Sequence, residues 1–195
     1  MVPSLSAVSE YRQHRPDPPI SMGPMNNTSD TGRTPRYQVR PIAPEALKRL
    51  RTIDDADRPP RMVVEDGDGG SPLRCCLGRS APHETIALLA YTPLLRWALD
   101  SDADPGPYNE TGPVFVHRED CGGWTGDGVP DGIRGERRVL RAYAADGSIL
   151  GGLLLDGGTP TIEEGLEQLY GDPRVAVVHI RAVEFGCFLA ETRRL

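Results

Sequence analysis

From Arg137 to Ala190 the chain repeats apolar residues with a period of two, broken once by a helical stretch, and this pattern limits the fold more than any other. Arg137–Tyr143 and Ser148–Leu155 flank the turn sequence Ala-Ala-Asp-Gly147, which predicts a β-hairpin. Thr161 stands three residues before Glu164, and Gly171 and Pro173 follow Tyr170, so a capped helix is expected over 161–170. Val175–Arg181 and Phe185–Ala190 are expected as two further strands, antiparallel across a tight Ala182–Glu184 turn. Strand and helix do not alternate often enough for a doubly wound sheet. The class is therefore α+β, an antiparallel sheet core with a few short helices.

The preceding residues add smaller pieces. Tyr37–Ile42 suits an edge strand, because Pro41 removes a ladder donor. Pro44–Arg51 and Pro93–Leu99 suit short helices, Arg61–Glu65 a strand, and Glu84–Tyr91 a central strand. Residues 1–36 hold six prolines and no apolar periodicity, which predicts a disordered leader before one globular domain over 37–195. No secretory signal or membrane-spanning run is expected in the chain.

Composition narrows the function. A net charge of -6 disfavours nonspecific binding to nucleic acid or to anionic membrane. Of the four cysteines (75, 76, 121 and 187), two are adjacent, and a bridge between neighbours is strained. Reduced thiols in a cytoplasm are the better reading. The phosphate-cradling, dinucleotide, nucleophile-elbow and His-Glu-Xaa-Xaa-His motifs are absent, so no organic cofactor is expected.

Chemistry concentrates between Pro107 and Cys121. Pro107, Gly112 and Pro113 start a strand in which Val114 and Val116 face one way and Phe115 and His117 the other. His117 is thus aimed by a rigid element, with Tyr108 and Glu110 at its near end and Cys121 beyond it, and acts as the acid/base candidate. Gly122–Gly135, holding Trp124, is long enough to suggest a closing loop.

Arg74-Cys75-Cys76-Leu77, Leu88–Tyr91, Glu110-Thr-Gly-Pro-Val-Phe-Val-His117 after Tyr108, Cys121, Leu140–Tyr143, Val178–Arg181 and Gly186-Cys-Phe188 together resemble the uncharacterised bacterial family called domain of unknown function 1203. The resemblance spans about residues 37–195 and implies no activity. In that family a single cysteine follows the arginine, whereas here Cys75 and Cys76 are consecutive.

Two later strands each turn from apolar to basic along one face. Val139, Arg141 and Tyr143 share a face, as do Val175, Val177, His179 and Arg181. Inward arginines require anions, either internal carboxylates or a bound ligand. The leading expectation is a small enzyme doing acid/base chemistry on a small anionic substrate without a cofactor. His117, Tyr108, Glu110, Tyr143 and Cys187 are its catalytic candidates, and Arg141, Arg181, His179, Arg74 and Trp124 its substrate-binding candidates. The alternative is a zinc- or ligand-binding module using His117, Cys121 and Cys187 with Cys75 or Cys76, although no paired Cys-Xaa-Xaa-Cys spacing spells it out. A homo-oligomer is compatible with either.

Overall fold

A computed structural model describes residues 35–158 and 160–195. Nearly all of the expected leader lies outside these residues. Two antiparallel sheets form the fold, which is α+β. The larger has five strands in the order β1 (Tyr37–Arg40), β8 (Phe188–Arg194), β7 (Val175–Ala182), β5 (Arg137–Ala144) and β6 (Ile149–Asp156). The smaller consists of β2 (Arg61–Val64), β3 (Thr85–Tyr91) and β4 (Gly112–His117), with β3 central. Among the described residues no helix is long and apolar enough to cross a membrane.

One face of the large sheet is covered by α3 (Ile162–Tyr170). Its start has both halves of the capping box between Thr161 and Glu164. Gly165 belongs there because a Cβ would press against Leu140 of β5 at 2.8 Å. Leu166 and Leu169 pack with Leu140, Ala142, Val178 and Ile180. Burying that many aliphatic side chains, each worth about 1.5–3 kcal/mol, makes this the main core.

The opposite face meets the small sheet and two short helices, α1 (Pro44–Leu50) and α2 (Pro93–Leu99). Tyr143 and Val177 pack on Leu94 and Trp97 of α2, while Phe188 joins the apolar cluster of β3, β4 and α1. The period-2 reading of β4 holds: Val114 and Val116 are buried and Phe115 and His117 half-buried. Val139, Arg141 and Tyr143 do lie opposite Arg181, His179 and Val177 in the β5–β7 register.

Two expectations change. The turn before β8 is longer than the tight connection expected, so Phe185, Gly186 and Cys187 lie outside the strand. Gly186 takes φ +65° and Phe185 is 86 % exposed, which puts Cys187 in a turn rather than in a buried strand. The 122–135 loop is also no open flap. Val129 and Ile133 are buried in the main core, and Trp124 packs against it. The Arg138 guanidinium holds the loop by donating to the carbonyls of Ile133 (2.8 Å) and Arg134 (2.7 Å).

Candidate metal centre

The β3–β4 hairpin sets the geometry of the site. Its register places Ile86 opposite His117, so Glu84, two residues earlier, lies beside the end of β4. Glu84 Oε1 is 3.2 Å from His117 Nε2, and Glu84 Oε2 accepts from the Ala81 N–H at 2.8 Å. A proton on Nε2 satisfies that carboxylate and leaves the Nδ1 lone pair facing the other way. Nδ1 faces sulfur: Cys75 Sγ at 3.3 Å and Cys76 Sγ at 3.7 Å.

A sharp turn delivers both thiols. Leu73 and Arg74 run alongside Phe115, with the Arg74 N–H donating to the Phe115 carbonyl at 2.9 Å. Side chains of consecutive residues in a strand point to opposite faces, so two adjacent cysteines reach one point only where the strand is broken. Here the run ends at Leu73 and residues 74–76 form a turn, followed by Leu77, a fully buried leucine at φ +57°. That conformation costs an L-residue about 1–2 kcal/mol. Gly132 packs directly under it, since a Cβ there would lie 2.2 Å from the Leu77 carbonyl.

Cys121 completes the set from the turn after β4. Arg51 fastens that turn to the end of α1, with Nε donating to the His117 carbonyl (3.1 Å) and Nη2 to that of Glu119 (2.8 Å). Cys75 Sγ, Cys76 Sγ, His117 Nδ1 and Cys121 Sγ all lie within 4.8 Å of one another. Four-coordinate zinc with Zn–S near 2.3 Å and Zn–N near 2.0 Å has ligand–ligand edges of about 3.5–3.8 Å. The corner therefore closes on an ion with movements of about 1 Å.

Electrostatics prepares the sulfurs. The hydrogen bond between the two thiols is the largest influence on both: it pulls Cys76 down to about 5 and pushes Cys75 upward, where burial adds to the rise. The backbone N–H of Gly78 and the neighbouring imidazole also favour a Cys76 thiolate. The His117 N–H donates to Cys75 Sγ at 3.2 Å. Backbone N–H donors and a carboxylate behind the imidazole form the outer shell that orients ligands in metal sites.

The other sequence candidates lie elsewhere. Glu110 bridges Arg141 and Arg181, with its Oε2 2.9 Å from each Nη1. Burial pushes its carboxyl upward, but the two guanidinium groups outweigh that and hold it below the ordinary range. The arginines thus meet an internal acid. Glu110 precedes β4 and His117 ends it, and the strand between them is about 17 Å long at 3.3 Å per residue, so Glu110 and Tyr108 are not the partners of that imidazole. Tyr143 is buried, which raises its pKa against the opposing influence of Arg141, and Tyr108 is exposed. His179 is 0 % exposed between the rings of Tyr143 and Phe188. Arg74 is buried and donates to the carbonyls of Phe188 (2.8 Å) and Pro72, a bracing role. The Cys187 thiol turns to the Phe185 carbonyl at 3.8 Å and is not one of the four converging donors. Sequence reasoning missed Glu84, and only the hairpin register could have revealed it.

A family model described as "Protein of unknown function (DUF1203)" matches residues 70–194, a span that contains all four donors and Glu84. No curated protein and no solved structure matches the chain.

Proposed function

The chain belongs to the family described as protein of unknown function (DUF1203), and on that premise we propose that it is a metal-binding protein whose centre is Cys75, Cys76, His117 and Cys121. The observation that carries this reading is the convergence of three sulfurs and one imidazole nitrogen within 4.8 Å. Thiolate and imidazole donors in a four-coordinate set favour zinc over hard, oxygen-seeking cations. Four protein ligands leave no open position, so the ion is structural, tying the 74–78 turn and the 118–121 turn to the end of β4. Such a centre needs reduced thiols, in keeping with the bacterial cytoplasm.

Metal analysis of protein purified without chelator tests the reading, with one zinc per chain expected. Cobalt substitution should give thiolate-to-cobalt charge-transfer bands, which Cys76→Ser weakens. Protein kept reduced that takes up neither zinc nor cobalt overturns it.

One observation favours a second reading. Sulfur, His117 and Glu84 are lined up as nucleophile, base and orienting carboxylate, the arrangement of a thiol hydrolase or transferase. Metal-free protein would then be alkylated at Cys76 much faster than a free thiol, and Glu84→Gln would slow that reaction. The acid/base enzyme acting on a small anion has less support, because Glu110 already engages both Arg141 and Arg181.

A further inference from the structure

Three of the chain's four thiols meet beyond the end of β4, and their sulfurs all lie within 4.8 Å of one another. They are not equally accessible. Cys75 is fully buried, whereas Cys76 and Cys121 are half-buried, the partial exposure that reactive thiols need. Cys75 is also the most firmly held, since its Sγ accepts the His117 N–H at 3.2 Å and faces His117 Nδ1 at 3.3 Å. Cys121 is the opposite case. Arg51 holds its turn as far as the Glu119 carbonyl, but a Cβ added at Gly122 would meet nothing within 4 Å, so the thiol has room to shift.

These differences select one pair. A bridge between the adjacent Cys75 and Cys76 is strained, and Cys187 is not among the converging donors. Cys76 and Cys121 remain, and their sulfurs reach bonding distance by closing at most about 3 Å.

From this arrangement we infer that the corner reacts with a hydroperoxide, of which hydrogen peroxide is the simplest, with Cys76 as the sulfur oxidised and Cys121 as the resolving thiol. The Cys76 sulfur attacks one peroxide oxygen, an S–O bond forms and the O–O bond breaks. Hydroxide leaves as water with the proton of the Cys76 thiol, so sulfur is oxidised to sulfenic acid and the peroxide is reduced. The Cys121 sulfur then attacks the sulfenic sulfur, an S–S bond forms and the S–O bond breaks. The second hydroxide leaves as water with the proton of Cys121. This chemistry uses the side chains of the proposed metal centre but not the metal. Where an ion is bound, pairing two of its three sulfurs would release it.

A stoichiometric amount of hydrogen peroxide, added to the reduced full chain in the presence of a chelator, tests the inference. The intact mass should fall by two hydrogens, and dithiothreitol should restore it. Trypsin should then give residues 75–79 joined to residues 119–134, with fragmentation placing the bond on Cys76 and Cys75 still open to alkylation. Cys187→Ser should behave as wild type. Cys121→Ser should stop at a sulfenic acid that dimedone traps, and in urea the preference for this pair should vanish. The inference is overturned by a chain that does not lose two hydrogens, by a bridge on Cys75 or Cys187, or by the same selectivity in urea. Zinc uptake separates the two readings. A Cys76–Cys121 disulfide in a chain that takes up no zinc supports this inference and removes the metal centre, whereas a zinc-binding chain whose thiols do not pair overturns this inference alone.

Discussion

Strand β4 carries a polar cluster at each end, and the two are built on opposite principles. At its start Glu110 is shared by Arg141 and Arg181, each guanidinium lying 2.9 Å from its Oε2, so opposite charges meet there. At its end, three sulfurs and an imidazole nitrogen converge mainly on one another. Donors of one kind aimed at one point are a poor way to stabilise a fold, because nothing among them supplies the missing positive charge. The comparison teaches where to look for a ligand: at the cluster that its own residues leave incomplete.

Removing the thiols should break the symmetry between the two ends most strongly. Wild-type protein with metal at about a thousand times its dissociation constant gains about 4 kcal/mol of stability, which a chelator removes. Cys75→Ala/Cys76→Ala should lack bound metal and show a thermal transition that chelator does not move. Glu110→Gln should keep its full metal content. Equal loss of metal in Glu110→Gln would show that the two ends form one unit, contrary to the contrast drawn above.

Glu84→Gln should produce the next largest effect. An orienting carboxylate behind a ligating imidazole typically contributes 10–100-fold in metal affinity. A competition titration against a chromophoric chelator should show a loss in that range with the cobalt–thiolate bands still present. Unchanged affinity would mean that Glu84 only pairs with His117 and does not position it.

The elements were legible because their signals are local. The hairpin of β5 and β6, the Thr161–Glu164 cap and the alternation of Val114 and Val116 each depend on a few adjacent residues. The thiol–imidazole cluster depends instead on which strands pair. Cys75 and His117 are 42 residues apart in the chain, and proximity in sequence favoured Glu110 and Tyr108 as the histidine's partners. An extended strand overrules that proximity, since each residue between them adds about 3.3 Å. Cys75 and Cys76 stood in the sequence as alternatives for one ligand position. The turn at 74–76 brings both to one point, and no glycine, proline or asparagine within it marks that turn in the sequence. Cys187 was misplaced for a related reason: Phe185 looks like a strand residue, but Gly186 at positive φ keeps it in the turn.

His179 supplies an environment unlike either end of β4. Burial lowers its pKa, opposed by Glu191, while the charges of Arg181 and Arg141 lower it further. The native imidazole therefore stays neutral at a pH where the unfolded one, near 6.5, takes up a proton. Stability should fall as pH drops below that value, by at most about 1.4 kcal/mol per pH unit, until the native group titrates. Urea melts of the Cys75→Ala/Cys76→Ala protein, in which metal-linked protons play no part, should show this slope. His179→Phe should flatten it. A slope that survives the substitution would assign the titration to other groups.

The smallest effect belongs to the saturated end of β4, and its sign is fixed by the same linkage. The folded carboxyl of Glu110 is held below its ordinary range, so its contribution is complete above the unfolded value of about 4.3 and disappears as pH falls through the native one. The Glu110 side chain is 48 % exposed and water screens the bridge, which limits the cost of Glu110→Gln to about 0.5–1 kcal/mol at neutral pH. Wild type and variant should converge in acid and also at high salt, where screening removes what the bridge contributes. A difference that persists at high salt would mean that the two arginines depend on Glu110 for packing as well as charge. The start of β4 would then be a rigid anchor for the thiol–imidazole cluster at its far end, and metal affinity in Glu110→Gln would be the measurement that decides it.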